Sequence, residues 1–123
     1  MKMDLKDFFP SVGIGRTIDI FQNRFLFSPE ASIVLGRLCT RNDGLAQGFA
    51  TSSYLAFLAF RRAGNRLNRL LREHGARFDI FVDDILISGP AWIGDLVQTV
   101  GRILGDEGFR LSPDKPPRIF KLS

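Results

Sequence analysis

The chain has 123 residues, 45% of them hydrophobic and 11% aromatic, which suits one domain with a real core and excludes a disordered tail. Its formal net charge of +4 leans towards an anionic partner such as nucleic acid, although charge alone names none. The single cysteine, Cys39, rules out an intrachain disulfide and accords with a reducing, cytoplasmic setting.

In chain order, Lys2 to Lys6 is short and strand-like, and Phe8-Phe9-Pro10-Ser11 breaks it with a proline turn. Ile18, Phe21 and Phe25 recur at helical spacing. Ser28-Pro29-Glu30 combines a capping hydroxyl, a proline for the first turn and an acid at the positive end of the helix dipole. The helix it opens should carry Ile33, Val34 and Leu38 and end near Thr40. Arg41 to Gly48, with two glycines and an Asn-Asp pair, reads as a loop.

Thr51 or Ser52 opens a longer helix with apolar positions at Tyr54, Leu55, Leu58, Leu67, Leu70 and Leu71, stopped near His74-Gly75. Arg77 to Val82 and Ile85 to Ser88 read as two strands of a hairpin joined at Asp83-Asp84. Pro90 opens a helix whose apolar face is Ile93, Leu96, Val97, Val100, Ile103 and Leu104. Phe109 to Leu111 and Arg118 to Leu122 are short strand candidates. The fold class is therefore α+β, in the split β-α-β-β-α-β order of a ferredoxin-like sandwich: an antiparallel sheet with helices packed on one face and the other face open. The most apolar run, Tyr54 to Phe60, is too short to span a bilayer, and no signal-peptide core follows Met1, so no membrane partner is expected.

Asp83 and Asp84 sit between Phe81-Val82 and Ile85-Leu86-Ile87. Adjacent acids between apolar strands repel. A plain hairpin turn would explain them, yet the favoured two-residue turns want glycine second. A bound divalent cation would offset the repulsion, and hard carboxylate oxygens suit Mg²⁺. Asp4, on the first strand, would converge with Asp83 if that strand pairs beside the hairpin. Three carboxylates from two strands would suit two Mg²⁺ ions about 3.5–4 Å apart, as in two-metal phosphoryl transfer; standing alone, Asp4 would read as a solvated terminal residue.

Asp4-Leu5-Lys6-Asp7-Phe8-Phe9-Pro10-Ser11-Val12 resembles motif A of bacterial reverse transcriptases, the group that includes retron and group II intron enzymes. Gly44-Leu45-Ala46-Gln47-Gly48-Phe49-Ala50-Thr51-Ser52-Ser53 is similar to motif B, Phe81-Val82-Asp83-Asp84 to the aromatic-X-Asp-Asp box of motif C, and Gly108-Phe109-Arg110-Leu111-Ser112-Pro113-Asp114-Lys115 to motif D. The motifs stand in the family's order and cover nearly the whole chain. Ala46 and Ser53 occupy positions where motif B usually has proline, Ser112 a position where motif D often has asparagine, and Phe81 lacks the hydroxyl of the usual tyrosine.

The resemblance implies the palm of an RNA-directed DNA polymerase that adds dNTPs to a primer 3′-hydroxyl, with RNA template, DNA primer and dNTP as partners and Mg²⁺ as cofactor, for which Mn²⁺ substitutes. It implies Asp4 and Asp83 as the main metal ligands with Asp84 in support, the Leu5 carbonyl completing a metal shell, Phe9 as a steric gate against a 2′-hydroxyl, Gln47 and Gly48 lining the nucleotide pocket, and Lys115 near the leaving pyrophosphate. Without the resemblance, Phe9 reads as core, Gln47-Gly48 as a loop and Lys115 as a surface lysine. Asp7 and Asp79 read as non-catalytic and His74 as a helix-end residue. Arg62, Arg66 and Arg69 share a helix face, read as solvated. The fingers and thumb of the family have no counterpart among these motifs, as expected of a gene fragment, of a chain read from a misplaced start codon or of one piece of a split enzyme. The alternative is a non-polymerising remnant or nucleic-acid-binding module that keeps the palm fold.

Overall fold

A computed structural model describes residues 1–48 and 50–119 of the chain. It is α+β, with a three-stranded antiparallel sheet, a separate two-stranded ribbon and five α-helices among the described residues. The chain divides into two compact units, residues 1–6 with 62–123, and residues 7–61.

The first unit holds the sheet, in the order β1 (Lys2–Asp4), β5 (Asp84–Ser88), β4 (Arg77–Phe81). Strand alternation sorts its two faces. Met3, Ile85 and Ile87 are buried, whereas Asp79, Phe81, Leu86 and Ser88 of the opposite face are exposed. The core adds Leu67 and Leu71 from the C-terminal half of α4 (Ala50–Glu73), and Val100, Ile103 and Leu104 from α5 (Val97–Asp106). A 3₁₀ segment, Ala91–Leu96, precedes α5, so the helix expected from Pro90 onwards begins with a tighter turn. Ile93 and Leu96 are nevertheless buried, as the apolar spacing predicts.

The hairpin forms one residue earlier than expected. Its loop is Val82-Asp83, and Asp84 is already a strand residue paired with Phe81. This register opposes Ile80 to Ile85 and Phe78 to Ile87, two complete apolar pairs; a loop one residue later would set Phe78 against Gly89. The terminal strand candidates are reduced to isolated bridges, Leu5 with Leu111 and Lys2 with Arg118. Residues 120–122 of the second candidate lie outside the described residues, as does Phe49.

The second unit contains α1 (Phe8–Ser11), α2 (Ile14–Asp19), α3 (Pro29–Cys39), the ribbon β2 (Thr40–Arg41) with β3 (Gly44–Leu45), and the start of α4. The Phe8-Phe9-Pro10-Ser11 break is a helical turn, entered through a left-handed Asp7 at φ 46°. α2 continues into a π-helical turn at Ile20–Arg24. As expected, the Ser28 hydroxyl caps α3, accepting the Ala31 N–H at 3.2 Å.

α3 carries Ile33, Val34 and Leu38 as expected, but it does not bury them. Ile33, Val34 and Leu38 are exposed, and the helix buries Ser32, Gly36 and Cys39 instead. Close approach explains this. A Cβ on Gly36 would stand 2.5 Å from the Ile18 side chain, so only a small-residue face lets α2 and α3 meet. The expected loop from Arg41 to Gly48 contains the ribbon: Asn42 and Asp43 both have positive φ, 53° and 64°, the geometry of a tight two-residue hairpin.

Candidate active site

Asp4 and Asp84 are direct partners across the β1–β5 ladder, at its end. Direct partners project to the same face, and here it is the open one. Two further backbone contacts fix the end of β1. The Leu5 N–H donates to the Asp83 carbonyl at 2.9 Å, and the Ser112 N–H donates to the Asp4 carbonyl at 2.8 Å. The segment resembling motif D thus lies along the outer edge of β1, where the Lys6 N–H also donates to the Arg110 carbonyl at 2.7 Å.

The carboxyls of Asp4 and Asp84 face each other closely enough for one, when protonated, to donate a hydrogen bond to the other. This contact chiefly holds Asp4 below the ordinary aspartate value; partial burial works against it, and Lys2, Lys115 and Arg118 reinforce it. The same contact chiefly holds Asp84 above the ordinary value, with burial and the negative charges of Asp4 and Asp83 adding and Lys2 opposing. The two acids therefore titrate as a coupled pair, with Asp84 the harder of the two to ionise.

Asp83 occupies the loop beside the pair and is half-buried. Val82, immediately before it, has φ 56°, unusual for a β-branched residue and a mark of local strain. Among the described residues, no group of three or more His, Cys, Asp or Glu side chains is gathered closely enough to enclose a metal ion. The geometry brings two carboxylates together, with the charge of the third close to Asp84.

Leu5 is buried beside the pair, and Lys115, in an exposed bend, bears electrostatically on Asp4. Sequence reasoning missed Lys2 and Arg118. The Lys2 ammonium stands 3.8 Å from Asp84 Oδ2, and the two backbones exchange hydrogen bonds of 2.8 and 2.9 Å. The available signal was strand alternation, which puts Lys2 on the face of Asp4.

Phe9, Gln47 and Gly48 belong to the second unit. Phe9 is half-buried, its ring centroid 5.5 Å from that of the buried Phe8. Gln47 and Gly48 form an exposed turn with Gly48 at φ 93°, a conformation that favours glycine. Gly44 is needed for a different reason, since a Cβ there would stand 2.5 Å from the Pro10 carbonyl oxygen.

Asp7 is exposed, Asp79 lies exposed on β4, and His74 follows the end of α4, its Nδ1 2.9 Å from the Leu70 carbonyl. Arg62 and Arg66 are not simply solvated. Arg62 lies 3.3 Å from Glu107, and Arg66 lies 3.2 Å from both Asp106 and Glu107, tying α4 to the end of α5. No helix among the described residues is long and apolar enough to cross a membrane.

The chain is α+β, with an acid on β1 paired with one on the β4–β5 hairpin, and sequence comparison says which proteins it is similar to. The chain is 36% identical over 86 residues, 70% of its length, to the retron Se72 reverse transcriptase of Salmonella heidelberg (strain 579083-10). It is 30% identical over 126 aligned positions, its full length, to the retron Ec48 reverse transcriptase of Escherichia coli. No family model matches. The chain is a relative of the bacterial retron reverse transcriptases and corresponds to a segment of them: it spans 23% of the first and 31% of the second.

Proposed function

We propose that the chain is the palm of an RNA-directed DNA polymerase, in which Asp4 and Asp84, with Asp83, form a divalent-metal site for adding dNTPs to a primer 3′-hydroxyl on an RNA template. The observation that carries this reading is the Asp4–Asp84 register pairing in a chain related to retron reverse transcriptases. Two carboxyls held opposite one another on the ladder make a set of hard oxygen donors that suits a dication.

Divalent cations held there would supply activation of the primer hydroxyl and charge neutralisation at the phosphates. The chain's own residues then divide the remaining work. β1 and β5 hold Asp4 and Asp84 opposed. The Leu5 N–H holds the Asp83 backbone beside them, and the Leu5 carbonyl is the proposed further ligand. Lys115 and Arg118 make the surroundings of Asp4 positive, which suits phosphate. Phe9 is assigned to sugar selection, and Gln47 and Gly48 to the nucleotide pocket.

Mn²⁺ titration of the chain, followed by paramagnetic broadening of backbone amides, tests the site. Broadening should centre on Asp4, Asp83 and Asp84 and vanish in Asp4→Asn/Asp84→Asn. Broadening centred elsewhere removes the assignment. Little primer extension on poly(rA)·oligo(dT) is expected from the 123 residues alone, because positioning of both substrates supplies much of the catalysis in phosphoryl transfer.

A further inference from the structure

Lys2 precedes Asp4 by two residues on β1 and so emerges on the same face of the sheet. Its register partner is Leu86, which places Asp84 diagonally across from it, within reach of a long side chain. The ammonium is 3.8 Å from Asp84 Oδ2, the one ion pair made by any of the three acids among the described residues. Reciprocal backbone hydrogen bonds with Arg118 anchor the strand at Lys2, while its side chain stays partly exposed. Lys115 and Arg118 are the other cations bearing on the acid pair, and both act on Asp4.

We propose that Lys2 is a built-in counter-cation of the acid pair: its ammonium sits on the Asp84 oxygen side that a divalent ion would use, and it must swing away for the ion to enter. This rests on the metal reading above. The chemistry suits the role. A lysine ammonium is a compact, strongly hydrated charge on a flexible stem. At 3.8 Å the contact is longer than a charge-assisted hydrogen bond, typically about 2.7–2.9 Å, so leaving costs little and water takes over its solvation. In the metal-free protein it offsets part of the repulsion between the acids. Towards an arriving dication it is a competitor for Asp84 and a source of repulsion. The residue therefore keeps the site weak for metal until phosphates of a substrate add their own ligands.

The test measures free Mn²⁺ by electron paramagnetic resonance against wild type, Lys2→Met and Lys2→Arg, with amide broadening as the locator. Lys2→Met keeps the apolar stem and removes the charge; Mn²⁺ should bind on the order of three- to fivefold more tightly, the scale of a partly exposed charge pair. Lys2→Arg keeps the charge and should stay close to wild type. Lys2→Gln should repeat the tightening if Lys2→Met folds poorly. Broadening at Asp4 and Asp84 with unchanged or weakened affinity in both neutral variants overturns the role of Lys2 and leaves the metal site standing. Absence of broadening at the acids in every variant overturns both.

Discussion

Asp4 and Asp84 come from strands 80 positions apart, yet they are direct partners in the ladder and their carboxyls shift each other's titration in opposite directions. With Asp84 held above its ordinary value, the folded state binds more protons there than the unfolded chain. That contribution weakens the metal-free fold as pH rises through the raised range towards neutral. Asp4, held below its ordinary value, has the opposite sign: its contribution is present above the unfolded value and is lost as pH falls through the lower, folded one. Asp84→Asn removes a negative charge while keeping a donor for Asp4. It should stabilise the chain in chelator at neutral pH by about 0.5–1 kcal/mol, a modest gain because the pair is partly solvated, read as a higher melting temperature, and the gain should shrink as pH falls. A lower melting temperature at neutral pH would show that the carboxyls do not repel.

Val82 occupies the first loop position of the hairpin at φ 56°. A left-handed conformation costs an L-residue roughly 1–2 kcal/mol, whereas glycine gives up about 0.5–1 kcal/mol of chain entropy on ordering. Val82→Gly should therefore stabilise the chain by up to about 1 kcal/mol, read from urea denaturation. Destabilisation would mean that the valine side chain contributes more than its backbone costs.

Phe8 and Phe9 are adjacent but unequal. Phe8 is buried, with a T-shaped contact to Phe60 at 6.1 Å between centroids, whereas Phe9 is half-buried. Phe8→Ala should cost about 3–5 kcal/mol of stability and Phe9→Ala less than half of that. Placed within the Escherichia coli Ec48 enzyme in exchange for its matching segment, Phe9→Ala should shift the dNTP-to-rNTP ratio of kcat/KM towards ribonucleotides. An unchanged ratio with a large loss of stability would return Phe9 to the core.

Gly44 opens β3 against the backbone of Pro10. The atoms in the way are main-chain, so nothing flexible can yield. Gly44→Ala should lose about 1–3 kcal/mol, the range for overpacking, measured by thermal melt beside Gly105→Ala, where a Cβ meets nothing within 4 Å. Equal melting points would argue against the close approach.

Local signals in the sequence carried much of the fold. The Ser28 cap, the glycine stop after α4 and the apolar spacing before and within α5 all correspond to structure, because each depends on neighbours within one or two turns. The candidate acids were legible for the same reason: charge between apolar strands stands out without any tertiary information. The tight ribbon at Asn42-Asp43 was also within reach, since Asn and Asp tolerate positive φ.

Other features depended on contacts between residues distant in sequence. The face that α3 buries was not legible, because it is chosen by how closely Ile18 approaches Gly36, and no periodicity encodes that distance. Likewise, Asp83 and Asp84 are indistinguishable as a dipeptide. Which of them opposes Asp4 follows from the strand register, set by pairing Ile80 with Ile85 and Phe78 with Ile87 and then laying β1 along β5. By itself the sequence determined that acids and a hairpin are present; tertiary pairing decided that Asp84 meets Asp4 and that Lys2 reaches Asp84, because register is a sum of contacts across the sheet and not a property of any one segment.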